Sequence, residues 1–529
     1  CALGINIPTG KDSLSMTQKY PDGSKVQAPG TVIISAAAPV RDIRRTISPV
    51  LKNTKNSTLY YIDFSCDALG LGGSALAQTL NRVGNDVPDV KDTAYFSRAF
   101  DTVQRLVRSR KLAAIHDVSA GGLVTTLLEM TFANSRGGLN MYTDGFAIYG
   151  EDDLVKILFA ENPAVVIQVE DDRKESVEKI LDDAALRYFP VASPSADRVL
   201  MISHKDSVHM VNIDTMRRRW FTPSYLLDRL QSGEECARKR FDNFSRQPLR
   251  FRLPKGFKGS LASRGLEAVR KSRSGIRAAI IREKGVNGDR EMAYSLHLAG
   301  FDVRDVHMTD LMSGRETLDD INMLVFCGGF SNSDVLGSAK GWAGGFLWND
   351  TAAATLRRYY DREDTLSLGV CNGCQLMIEL NLLFGIGGER PVEMAHNRSH
   401  KFESQFVNMT IPENNSVMFG PLSGVRAGIW VAHGEGRFVF RKAMSEFNIV
   451  GRYSYKDYPA NPNGSTGAVA ALASADGRHL AMMPHLERAI FPWQWAYCPS
   501  AHRNDEVTVW LDAFVNARRW IEEKTAAGK

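Results

Sequence analysis

The stretch TLSLGVCNGCQLMIEL, Thr365 to Leu380, leaves the backbone few paths. An apolar run ends at Val370, Cys371 stands between Gly369 and Gly373, and an amphipathic pattern begins at once. A side chain presented on a sharp strand-to-helix turn needs small neighbours two positions away on both sides, because the backbone crowds there. The spacing predicts a strand, a strained turn and a helix whose N-terminal dipole favours a thiolate at Cys371. The same stretch is also a Cys-x-x-Cys, for which metal and redox readings compete. A structural zinc needs a second ligand pair, and a redox pair opens a helix in a small thioredoxin-like unit. The remaining cysteines, at 1, 66, 236, 327 and 498, are scattered, odd in total and dilute, which favours reduced thiols. Cys374, one turn beyond Cys371, is then a packed helix residue.

A chain of 529 residues exceeds one hydrophobic core and implies roughly two to four domains. No apolar run reaches the length of a membrane span, and no basic-then-apolar leader precedes the first of them. A cytoplasmic globular chain, with no membrane partner, is expected. The net charge of +5 raises the question of nucleic acid. Twelve Lys or Arg against two acids lie between Arg238 and Arg273, and acids outnumber bases elsewhere. This basic stretch, rich in Pro, Gly and Ser, reads as an interdomain linker on acidic neighbours rather than a nucleic-acid arm.

Four segments result. Residues 1–45 look like the truncated end of another domain. Residues 46–220 repeat a plan of apolar strand, Gly-rich turn and helix, residues 221–275 form the basic linker, and 276–529 alternate strand and helix patterns as one α/β domain with a largely parallel sheet. Ligands bind such sheets at the carboxyl ends of the strands.

A thiol nucleophile needs a base and a group that orients it. In HLAMMPHLERAI, His485 follows an apolar run, and Glu487 two positions later projects to the same side of an extended chain.

GVCNGCQ, with MMPHLER 114 positions later, resembles the Cys-His-Glu triad of class I glutamine amidotransferases. CGGFSNSDVLGSAKGWA, VAHGEGR and YPANPNGS extend the resemblance to the glutaminase domain of the large single-chain phosphoribosylformylglycinamidine synthase family, and IPTGKDSLSM and IHDVSAGGLVTTLLEMTFA to its synthetase region, whose halves resemble aminoimidazole ribonucleotide synthetase. The resemblance implies a flavodoxin-like triad glutaminase domain preceded by an α+β synthetase C-terminal-half domain and a truncated N-terminal piece. It further implies Cys371 as nucleophile, His485 as base, Glu487 as orienting acid, an oxyanion hole from the N–H groups of Gly329 and Asn372, and a glutamine pocket lined by Gln375, His433, Gly434 and Glu435. Asp117 and Ser119 match positions serving magnesium and nucleotide. The implied activity is a glutamine- and ATP-dependent ligase of purine biosynthesis, acting on formylglycinamide ribonucleotide, with ATP and Mg as cofactors and an N-terminal synthetase region upstream of Cys1 as partner. This chain alone is expected to lack the complete synthetase site.

Two departures stand out. Leu486 replaces the family's Pro between His and Glu, and Asn332 and Ser333 replace Tyr and Gly. The loop around Lys11 resembles a phosphate loop but has five residues between Gly4 and Gly10, and Asp12 where Ser or Thr would hold magnesium. Two alternatives remain: a class II amidotransferase using Cys1 as N-terminal nucleophile, and a catalytically idle glutaminase-like assembly domain.

Overall fold

A computed structural model of the chain describes residues 3–10, 16–27, 33–53 and 56–527. Cys1, Lys11 and Asp12 lie outside the described residues, and with them the class II and phosphate-loop readings. The chain divides into two compact units, Cys1–Pro223 and Ser224–Lys529.

In the first unit, an exposed hairpin of Thr17–Lys19 and Lys25–Gln27 precedes a seven-stranded sheet. Its strands are β1 (Ser57–Asp63), β2 (Ala114–Val118), β3 (Gly138–Tyr142), β4 (Ala164–Glu170), β5 (Tyr188–Ser195), β6 (Val199–His204) and β7 (Ser207–Asn212), in the order β2-β4-β1-β5-β3-β6-β7. Every pairing is antiparallel except β3 with β6. Strand periodicity sends alternate residues to opposite faces. Tyr60 and Ile62 of β1 join one core with α1 (Thr93–Arg108) and α3 (Lys174–Asp183). Leu59 and Tyr61 join the other with α2 (Gly122–Phe132). Asp92 caps α1 by accepting from the N–H groups of Ala94 and Tyr95.

The stretch read as a linker, 221–275, begins inside a helix. Helix α4 runs Ile213–Asn243, with Pro223 inside it and a break at Gly233, where φ is 75°. Its basic residues find acids: Lys239 pairs with Glu235 one turn back, and Arg240 with Asp228 at 2.6 Å and Glu403 at 3.4 Å. Beyond the helix the chain lies along the second unit. Arg252 exchanges backbone hydrogen bonds with Arg426, Phe251 stacks on Trp495, and Arg264 binds Asp512. Basic and polar composition hides this packing, because each anchor is supplied by residues far away in sequence.

The second unit holds a nine-stranded sheet: β8 (Arg277–Arg282), β9 (Asp302–His307), β10 (Met323–Phe326), β11 (Leu366–Val370), β12 (Glu403–Thr410), β13 (Arg426–His433), β14 (Asn448–Tyr453), β15 (Val469–Ala473) and β16 (His479–Met482). The order is β9-β8-β10-β11-β16-β15-β14-β12-β13. The first five strands are parallel, in the 2-1-3-4-5 arrangement of a flavodoxin-like sheet. The other four extend it antiparallel, so the parallel part, the part anticipated, is one half of the sheet. Helices α5 (Asp289–Leu298), α6 (Lys340–Leu347), α7 (Asp350–Asp361), α8 (Asn372–Glu379) and α9 (Trp510–Ala527) also belong to this unit. All four residues of β10 and all five of β11 are buried, as expected of strands covered on both faces. Phe326 pairs with Gly369, and Val370 with Met482, so β10, β11 and β16 end side by side.

Candidate active site

Cys371 follows β11 directly and stands at the N-cap of α8 with φ 53° and ψ −107°. That is a strained conformation for a residue with a side chain, of the kind held in place only when its surroundings dictate it. The two glycines do so by omission. A Cβ on Gly373 would stand 2.0 Å from the Phe326 carbonyl oxygen, and one on Gly369 would stand 2.5 Å from the Gly373 oxygen. The Cys371 N–H is anchored to the Met482 carbonyl at 2.9 Å. The thiol is buried, and its Sγ leans toward the Ala432 carbonyl at 3.5 Å.

His485 lies three residues beyond the end of β16, and a backbone bond to Trp430 of β13 fixes it. Its Nδ1 is 2.6 Å from Glu487 Oε1, with both side chains buried. Nε2 is buried without a hydrogen-bond partner. The neighbouring Gly328 makes room for the ring: a Cβ there would stand 2.7 Å from His485 Cε1 and 3.4 Å from Cys371 Cβ. Burial alone lowers the imidazole's affinity for a proton, but the negative charges of Glu487 and Cys371 outweigh it and push the pKa up to about 9. An imidazolium at His485 is the form this pocket favours.

Gly329 has φ 152°, and a Cβ on it would collide with Val286 Cα at 2.6 Å and the Gly285 oxygen at 2.7 Å. Its loop is held by bonds from Asn287 and Gly288 to the Gly328 carbonyl and from Phe330 to Gly285. The loop continues through Asn332, Ser333 and Asp334, all left-handed with φ of 52°, 56° and 51°. Asn tolerates this region, and Ser there occupies a conformation that favours glycine. The Asn332 side chain covers Gly341. Leu486 is wholly buried, so packing holds the segment between His485 and Glu487.

Two of the expected pocket residues, Gln375 and Glu435, and the expected oxyanion donor Asn372 meet through hydrogen bonds. Gln375 donates to the Glu435 carbonyl at 2.7 Å and accepts from Asn372 Nδ2 at 3.0 Å, while Asn372 Oδ1 accepts the Ser331 N–H at 3.1 Å. His433 is buried, and desolvation followed by the nearby His485 charge pushes it down to about 3. It is therefore neutral. Residues that sequence reasoning missed join them: Asp334, 3.5 Å from Asn372 Nδ2, its carboxyl raised by burial and by Glu435, and Asn397, bound to both ends of the His433–Gly436 turn. Asp334 sits within the quoted CGGFSNSD motif, while Asn397 lies in a loop with no periodic signal.

Cys374 is fully buried, and desolvation together with the Cys371 charge raises its thiol well above the ordinary value. Among the described residues no group of three His, Cys, Asp or Glu is arranged to hold a metal.

In the first unit, Asp117 stands one residue before the end of β2 with its carboxylate exposed, 3.4 Å from His116 Nδ1. Ser119 is exposed on the turn into α2, where its carbonyl accepts from Gly122. One open carboxylate and one hydroxyl do not make a magnesium site, which needs further oxygen ligands.

Residues 275–521 match the CobB/CobQ-like glutamine amidotransferase domain, and residues 57–193 the C-terminal domain of AIR synthase related proteins. A human phosphoribosylformylglycinamidine synthase is 38% identical over 99% of this chain and 40% of its own length. Nearly the whole chain is thus similar to part of a phosphoribosylformylglycinamidine synthase. A probable chloroplastic or mitochondrial member from Arabidopsis thaliana is 37% identical over 98% of this chain and 38% of its own length. The chain thus spans about two fifths of the length of the curated relatives it matches. Among solved structures, PurLQS from Thermotoga maritima is 25% identical, covering 47% of this chain and 99% of its own, with a TM-score of 0.36. Among the described residues, no helix is long and apolar enough to cross a membrane.

Proposed function

We propose that the second unit is a glutaminase and that this chain forms part of a glutamine- and ATP-dependent ligase that converts formylglycinamide ribonucleotide to formylglycinamidine ribonucleotide in the cytoplasm. The observation that carries the glutaminase reading is the strained Cys371 beside a buried imidazole whose far nitrogen is held by Glu487 at 2.6 Å.

The Cys371 thiolate attacks the side-chain amide carbon of glutamine, and the carbonyl oxygen takes up the negative charge. The N–H groups of Gly329 and Asn372 donate to that oxygen, the role in which preorganised donors contribute most. His485 passes its proton to the amide nitrogen, the C–N bond breaks, and ammonia leaves behind a γ-glutamyl thioester. Neutral His485 then takes a proton from water as it attacks the thioester carbon, glutamate departs, and the thiolate–imidazolium pair is restored. Gln375, His433, Gly434 and Glu435 line the glutamine pocket.

The matched relatives' names support the second half-reaction. ATP, when bound, would supply the activation of the formamide oxygen that ammonia replaces in that half-reaction. Asp117 and Ser119 offer one oxygen each toward that nucleotide, and other ligands come from a further synthetase region. Incubation of this chain with glutamine, following glutamate and ammonia release in parallel with Cys371→Ala, tests the proposal. Hydrolysis that depends on Cys371 is expected. Its absence, together with no labelling of Cys371 by a glutamine-derived chloroketone, favours the idle assembly-domain alternative.

A further inference from the structure

Asn397 is fully buried, and its one side chain binds both ends of the turn His433-Gly434-Glu435-Gly436. Nδ2 donates to the His433 carbonyl at 2.6 Å and to the Lys401 carbonyl at 3.1 Å. Oδ1 accepts the Gly436 N–H at 3.0 Å and faces His433 Nδ1 at 3.2 Å. The Asn397 main-chain N–H donates to the Gly434 carbonyl at 2.8 Å. A carbonyl and an N–H three residues apart are thus joined through an amide in place of a direct turn hydrogen bond. The turn is tight, for a Cβ on Gly436 would stand 2.4 Å from His433 Nδ1. On its other side Gln375, on the nucleophile's helix, holds the Glu435 carbonyl, and Ala432, next to His433, presents its carbonyl to Cys371 Sγ.

We infer that Asn397 is a positioning residue that fixes the His433–Gly436 turn relative to Cys371 and so sets the fit of the glutamine amino-acid moiety without touching the reacting atoms. This rests on reading that turn as a wall of the glutamine pocket. The residue type is dictated by the turn: a donor nitrogen for the His433 and Lys401 carbonyls and an acceptor oxygen for the Gly436 N–H, at a single planar group. Aspartate has the same shape but offers two acceptors. It keeps the Gly436 bond and turns a lone pair against the His433 carbonyl, leaving a buried group unpaired. When protonated, it recovers one donor, enough for the His433 carbonyl.

The test compares Asn397→Asp with the unaltered chain in the rate of Cys371 labelling by a glutamine-derived chloroketone and by iodoacetamide, which needs no amino-acid pocket. Near pH 8 the chloroketone rate should fall about tenfold or more, the scale of one buried unpaired group, while the iodoacetamide rate stays near that of the unaltered chain. The ratio of variant to unaltered chloroketone rates should rise as pH falls and the new carboxyl protonates. An unchanged chloroketone rate, an equal loss with both reagents, or a ratio indifferent to pH overturns the inference. Asn397→Ser, which keeps one hydroxyl donor, should raise the KM for glutamine more than it lowers kcat, and the reverse split also overturns it. If the unaltered chain fails to react with the chloroketone at Cys371, the glutaminase reading itself has failed, a distinct outcome.

Discussion

Glu487 Oε1 lies 2.6 Å from His485 Nδ1, and the two side chains are separated by a single residue, Leu486, whose own side chain is buried. The carboxylate holds the Nδ1 proton and turns Nε2 toward Cys371. It also opposes the desolvation that otherwise strips charge from a buried imidazole.

Glu487→Gln removes the charge and keeps the shape. Glutamine hydrolysis should fall by about 10²- to 10⁴-fold, the range general acid–base catalysis commonly contributes, with the KM for glutamine little changed. A steady-state comparison of kcat and KM checks this, and an unimpaired kcat would remove Glu487 from the mechanism.

The raised pKa of His485 has a definite pH signature. Folded His485 binds its proton up to about pH 9, against an ordinary value of 6.5. The resulting stabilisation is complete below pH 6.5 and is lost as pH rises through about 9. The gap in urea midpoint between the unaltered chain and Glu487→Gln should therefore narrow from pH 6.5 to pH 9.5. A gap that widens over that interval contradicts the charged pair.

The two cysteines of Cys-x-x-Cys should separate cleanly. Cys371→Ala should abolish trapping of a γ-glutamyl thioester. Cys374→Ala should retain it, since Cys374 is buried with its thiol raised well above the ordinary value. Mass spectrometry of acid-quenched protein reads both outcomes.

Glycines near the site should differ in their tolerance of a methyl group. At Gly373 the new Cβ stands 2.0 Å from the Phe326 carbonyl oxygen, while at Gly434 nothing lies within 4 Å. Gly373→Ala should cost about 1–3 kcal/mol or more in urea unfolding, and Gly434→Ala should stay within about 0.5 kcal/mol of the unaltered chain.

Asp117 and Cys371 belong to different compact units. Asp117→Asn should leave chloroketone labelling of Cys371 unchanged in rate, and a large loss of labelling with the fold intact would show that the two sites are not separable.

Sequence alone carried the strand-to-helix turn at Cys371, because G-x-C-x-G is a local steric requirement written in adjacent residues. It also carried the His485–Glu487 pair as near neighbours, although the segment bends at Leu486 and turns at Glu487 instead of running extended. The basic stretch after Arg238 was legible as charge and not as structure. Its helix to Asn243 and its contacts with Arg426, Trp495 and Asp512 depend on partners some 170 to 250 residues away.

Neighbouring residues encode the chemistry they can build: a thiol on a crowded turn, an imidazole with a carboxylate beside it, and apolar runs for a parallel sheet. Tertiary structure alone decided their meeting. The register of β11 with β16 brings Cys371 and His485 together, Gly328 leaves space between them, and Asn397 ties the turn that β13 delivers to their side. Such pairings are set by sheet order and by hydrogen bonds that close only once the core has packed, and no local pattern encodes which distant donor will find which carbonyl.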